Sequence, residues 1–118
     1  MSEIKRLQPG TRMSQAVVHG NTVYLAGQVA SGAPGASVAD QTRDILSRID
    51  ALLGEAGTDK TRILSATIWL CDMGTFAEMN GVWDAWLAPG CAPARATVES
   101  PRLAAPDYTV ESGIIAAL

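Results

Sequence analysis

Between Val38 and Ala56 the apolar residues Ile45, Ile49, Leu52, Leu53 and Ala56 recur at three- and four-residue steps, while Asp44, Arg48 and Glu55 lie off that stripe. This spacing predicts a helix with one apolar face. Gly57 ends it, as a residue that tolerates the left-handed position after the last turn. Such a face is unstable in water, so the rest of the chain must supply a surface for it to lie on.

The flanking segments have strand length. Ser14 to Val18 and Val23 to Ala26 are short apolar runs on either side of His19-Gly20-Asn21, the pattern of a hairpin. Gly27 and Gln28 follow, and Ser31 to Ser37 is a loop by composition. Ile63 to Leu70 is β-branched and apolar, and its partial alternation suits a strand covered on one face and lying on a subunit interface with the other. A second helical stripe comes next, made of Phe76, Met79, Val82, Trp83, Trp86 and Leu87. Thr75 and Glu78 have capping-box spacing at its start, and Pro89-Gly90 stops it. Ala94 to Glu99 and Thr109 to Leu118 are the last two strands, joined by a loop containing Pro101 and Pro106. Trp69, Trp83 and Trp86 are expected in the helix-on-sheet core rather than around a ligand. The order ββ-α-β-α-ββ predicts an α+β fold, a mixed sheet with two helices on one face, in a single domain over residues 1–118. One chain leaves the other sheet face bare, to be covered by neighbouring subunits.

Composition narrows the chemistry. The chain has 118 residues, 47% hydrophobic and 18% charged, as in a folded protein. Its net charge of −3 provides no basic field for nucleic acid or an anionic membrane. It also lacks the run of about 18 apolar residues needed to cross a bilayer. Met1 to Arg6 lacks the apolar stretch of a signal peptide, so a cytoplasmic location is expected. Cys71 and Cys91 have neither disulfide-framework nor zinc-site spacing, and are expected as reduced thiols. His19, the lone histidine, stands in a turn. With no metal site or Gly-rich phosphate loop, no cofactor is expected, and any reaction should be one that is already nearly spontaneous.

The informative stretch is Pro93-Ala94-Arg95-Ala96-Thr97-Val98-Glu99. Along a strand Arg95, Thr97 and Glu99 share one face, and Ala96 and Val98 the other. The planar fork of an arginine matches a carboxylate bidentately. The alternative is a surface arginine paired with Glu99 or Glu111.

Met13-Ser14-Gln15-Ala16, Leu25-Ala26-Gly27-Gln28, Gln41-Thr42, Cys71-Asp72-Met73 to Phe76, Met79-Asn80 and Pro93-Ala94-Arg95 fall in an order and spacing that resembles the reactive intermediate deaminase (RidA/YjgF) family over nearly the whole length. The chain resembles a divergent member. The resemblance implies a chorismate-mutase-like homotrimer with its sheets around a central barrel and three sites in the clefts between subunits. It also implies hydrolysis of short-lived 2-enamino or 2-imino acids to 2-keto acids and ammonia, with Arg95 on the substrate carboxylate. Imines hydrolyse in water unaided, so orientation and charge neutralisation suffice to accelerate the step.

Several family positions differ. Met13 stands where the deaminases usually have tyrosine, Ala26 where they have serine, and Thr97 where they have cysteine. Of two alternating glutamates in the last strand, the first falls on Glu111 and the second, associated with the attacking water, on Gly113. Glu111 and Gly113 share a face about 7 Å apart, so Glu111 is the candidate to take over part of that role. Gly27, Gln28, Asn80, Thr97 and Tyr108 are the remaining candidates to contact a small carboxylate metabolite. A trimer that binds such a carboxylate without turnover, and a purely structural trimer, are the competing functions.

Overall fold

The computed structural model describes residues 3–118; Met1 and Ser2, which open the segment without signal-peptide character and the expected domain, lie outside the described residues. The elements run β1 Ile4–Pro9, β2 Ser14–His19, β3 Thr22–Leu25, β4 Gln28–Val29, α1 Val38–Ala56, β5 Ile63–Leu70, α2 Phe76–Trp86, β6 Ala94–Glu99 and β7 Val110–Ala117. They form one sheet in the order β1-β2-β3-β7-β5-β6, with β4 also on β7. Among the described residues only β5 and β6, joined through α2, pair in parallel; the other pairings are antiparallel. The fold is the expected mixed sheet with two helices.

α1 keeps its expected bounds. Ser37 caps it, its Oγ accepting from the Asp40 N–H at 3.1 Å, and Gly57 closes it at φ 91°. Its stripe of Ile45, Ile49 and Leu53 is fully buried in one cluster with Ile68, Leu70, Ile114, Met79 and Trp83. Leu53→Ala in such a site costs roughly 2–5 kcal/mol.

The structure departs from the sequence reading in four places. β1 is a strand that the apolar pattern does not announce: of its residues only Leu7 is buried. As an edge strand it carries Lys5, Arg6 and a terminal Pro9, residues suited to an unpaired edge. β4 follows a one-residue slip in register between the Tyr24–Ile115 and Gln28–Ser112 pairs, a bulge around Ala26 and Gly27. The capping box at Thr75 and Glu78 is not made. A 3-10 turn at Met73–Thr75 runs straight into α2, the Thr75 hydroxyl donates to the Asp72 carbonyl, and Glu78 instead accepts from the Ala39 N–H of α1 at 2.8 Å. Finally, Trp69 is not beneath the helices. It pairs with Glu111 and Val98, alternates with buried Ile68 and Leu70, and lays its ring 3.5 Å from where a Cβ on Gly113 would stand. Trp69, Tyr24, Val98 and Ile115 lie on the face turned away from the helices, the last three well exposed.

Candidate functional site

β6 is an edge strand, and Arg95 lies near its start opposite Ala66 of β5. Ala66 in turn faces Ile114 of β7, and both are buried under the helices. Cross-strand partners share a face, so Arg95 is on the helix side, at the rim. There it meets α2. Its Nη1 donates to Asn80 Oδ1 at 2.8 Å, and its guanidinium carbon lies 5.4 Å from the Trp83 ring centroid and 5.8 Å from that of Phe76. The rings are cation–π neighbours within the useful range. Phe76, Asn80 and Trp83 stand at i, i+4 and i+7 of one helix, so one face of α2 presents all three.

Among the described residues no carboxylate lies within 4.0 Å of Arg95; the ion pairs are Arg43–Asp40 and Arg48–Asp44. The alternative of a surface arginine paired with Glu99 or Glu111 therefore does not hold. Glu99 Oε1 accepts from the Met73 N–H at 2.9 Å. Glu111 is two strands away on the opposite face, in register with Trp69 and Val29. Arg95 is half-buried and its charge is unneutralised. Thr97 shares its face, but the Thr97 hydroxyl is screened from solvent and has no hydrogen-bond partner among the described residues.

Glu111 belongs to a second region. It lines an open cleft of about 700 Å³ with Met13, Gln15, Ala26, Gly27 and Gln28. Burial pushes its carboxyl above the ordinary 4.5 of a glutamate. Glycine at position 27 gives the Glu111 carboxylate its place, because a Cβ there would push that carboxylate aside. Gln28 is buried, and its amide nitrogen donates to Gln15 Oε1 and to the Ala26 carbonyl, each at 3.0 Å. Both its donors are thus occupied within the chain, leaving Gly27 as the group that opens to the cleft. Tyr108 lines an adjoining cleft of about 470 Å³ with Cys71 and Pro106, and Ala104 lines both. Gly113 lies in regular register against Thr67 with no left-handed backbone, so no bend demands the glycine.

The structure thus brings Arg95 together with Asn80, and Glu111 with Gly27, but keeps these two groups on opposite faces of one chain. Phe76 and Trp83 are the site residues that sequence reasoning assigned only to the core stripe; their spacing around Asn80 was the available signal.

Residues 3–118 match the family model described as endoribonuclease L-PSP. The chain is 43% identical over 115 residues to the RutC family protein YoaB of Escherichia coli, covering 98% of each chain. It is 42% identical over 113 residues to a RutC family protein of Haemophilus influenzae, covering 96% of this chain and 97% of that one. In fold it is similar to a crystal structure of a YjgF-family protein from Neisseria meningitidis, with a TM-score of 0.93 and 47% identity over 98% of this chain and 94% of the other. Since these matches run through every element that carries Arg95, Asn80, Gly27 and Glu111, the chain belongs to the RidA/YjgF family, which includes the RutC proteins.

Proposed function

We propose that this protein hydrolyses reactive 2-enamino and 2-imino acids to 2-keto acids and ammonia, in clefts between the subunits of a homotrimer. The observation that carries the reading is Arg95: a half-buried guanidinium with one neutral partner and, among the described residues, no carboxylate within 4.0 Å. A cation so placed favours an anionic ligand, and its fork suits a carboxylate. The substrate carboxylate binds there. Water adds to the imine carbon, and Glu111 takes the proton from the attacking water. That proton and the one left on the new hydroxyl both pass to the nitrogen, the carbon–nitrogen bond breaks, and ammonia departs from the 2-keto acid. A carboxyl raised by burial is closer to the operating pH and better matched to both transfers.

The trimer is supported by two observations. Tyr24, Val98 and Ile115 expose an apolar patch on the open sheet face. Arg95 and Glu111 are on opposite faces, so a site that uses both needs Glu111 from one subunit and Arg95 from another. The free thiols Cys71 and Cys91 suit a reducing compartment such as the cytoplasm, and no described helix is long and apolar enough to cross a membrane. The ribonuclease named in the family model's description is a poorer fit to this chain. Its net charge is −3, and the lone histidine His19 is exposed at the end of β2.

Gly113, where the deaminases usually have a second glutamate, favours a second reading: a trimer that holds a small carboxylate without turnover. Imino acids generated in situ with an amino-acid oxidase separate the two. The enzyme reading expects faster imine loss with the protein present than without it. Binding of 2-keto acids by calorimetry, with no acceleration for any imino acid tried, would instead establish the binding protein.

A further inference from the structure

Of the acidic side chains on the elements that surround Arg95, Asp84 is exposed one turn beyond Asn80 and forms no ion pair with Arg95, and the other three are held by the backbone. Glu99, on the same face of β6, accepts from the Met73 N–H at 2.9 Å. Asp72, before α2, accepts from the Gly74 N–H at 2.8 Å. Glu78, two residues before Asn80, accepts from the Ala39 N–H at 2.8 Å. A backbone N–H bonded to a carboxylate is a charge-assisted bond that leaves the acid in place. The side chain that does reach Arg95 is the uncharged one, at 2.8 Å.

We infer that Asn80 is a positioning residue, holding Arg95 through a neutral bond so that the guanidinium keeps its whole charge for an incoming carboxylate. This rests on the carboxylate-anchor reading above. Arginine has only donors, so the Asn80 oxygen must be the atom that faces it. One N–H is fixed by that bond, while Phe76 and Trp83 flank the guanidinium. The orientation of the fork is thereby set before any ligand arrives, which reduces the ordering cost of binding. An aspartate at this position has the same shape and would hold the fork equally well, but it would neutralise it. Position 80 therefore needs an acceptor without a charge, and asparagine supplies it.

The test compares Asn80→Asp with Asn80→Ala, titrating each and the parent with 2-oxobutanoate by calorimetry and following thermal melting alongside. Asn80→Asp is expected to melt no lower than the parent yet bind about 10- to 100-fold more weakly, the worth of a charge-assisted bond lost to an internal partner. Asn80→Ala, which loosens the fork but leaves it charged, is expected to lose only a few-fold, roughly one neutral bond. A residue with a merely structural role gives the reverse order, because aspartate is the closer shape. Binding by Asn80→Asp as tight as the parent overturns the inference. If the parent itself binds no 2-keto acid, the carboxylate-anchor reading fails, and nitrogen NMR of the Arg95 side chain decides the positioning on its own. Slowed guanidinium rotation in the parent that is released in Asn80→Ala supports it; free rotation in the parent overturns it.

Discussion

The rim around Arg95 and the cleft around Glu111 each hold one charge without an ion-pair partner among the described residues (Arg48, which also lines the cleft, is paired with Asp44), but they keep it so by opposite means. At the rim the cation is framed by aromatic rings and an amide, and Glu78 and Glu99 are held elsewhere by backbone N–H groups. In the cleft the carboxylate lies against a glycine that gives it room, and burial disfavours its ionised form. The first arrangement preserves a charge for binding; the second makes a charge easy to lose and regain. An anchor needs the former and a proton carrier the latter.

The comparison breaks most visibly at Arg95. Arg95→Ala is expected to remove measurable 2-keto acid binding while the fold survives, since Arg95 sits on an edge strand and touches the core only at the Trp83 ring. Arg95→Lys should recover little of it, because a point charge cannot replace the fork. Calorimetry on both variants checks this, and parent-like affinity in Arg95→Ala would sink the anchor.

Glu111→Gln should spare binding but slow imine hydrolysis by about 10²–10⁴-fold, the usual worth of a placed general base. The base acts only when ionised, and its folded pKa is raised. The acid limb of the parent's rate profile should therefore fall at a pH above 4.5, and vanish in Glu111→Gln. An unchanged limb in that variant assigns the titration to another group.

Gly27→Ala sharpens the contrast more gently. The added methyl must displace the Glu111 carboxylate, so turnover should drop while 2-keto acid affinity at Arg95 holds; equal loss of both would mean the two regions are not separable. Gly113→Glu is expected to fold, since the new Cβ would meet the Trp69 ring at ordinary contact distance. It should raise hydrolysis if a second carboxylate helps place the water, and a folded variant with no gain favours the binding protein.

The smallest expected effect is on stability. A raised folded pKa means the fold penalises ionised Glu111: the penalty is absent below the unfolded value and complete once pH exceeds the folded one. Glu111→Gln should thus melt higher than the parent at pH 8, by about a few degrees at most, and no higher at pH 4. A gain of the same size at both pH values would point to packing instead of charge.

The regular elements were legible because their periods are set by burial. α1 and β5 each lay a dense apolar stripe on the core, and their limits coincide with the sequence reading. β1 buries only Leu7, and an edge strand with one buried residue carries no alternation to find. Trp69 was misplaced because its size suggests the core, while its parity along β5 puts it on the open face. Arg95 was legible from its strand and its family position. Its lack of a counter-ion was not, because that depends on where Glu78, Asp72 and Glu99 find backbone donors, which no local spacing encodes.

The place of β7 in the sheet has a consequence for how the chain folds. β1, β2 and β3 form one meander and β5, α2 and β6 another unit, each from neighbouring stretches of sequence. Among the described residues their only sheet connection is β7, which pairs Thr22 with Ala117 on one side and Leu70 with Val110 on the other. Closing so long a loop is entropically slow, so the two local units should gain structure early and join late, in the step that seats this strand. The amides of β7 are then expected to exchange with solvent only when the whole molecule opens, and those of β1 to escape by fraying.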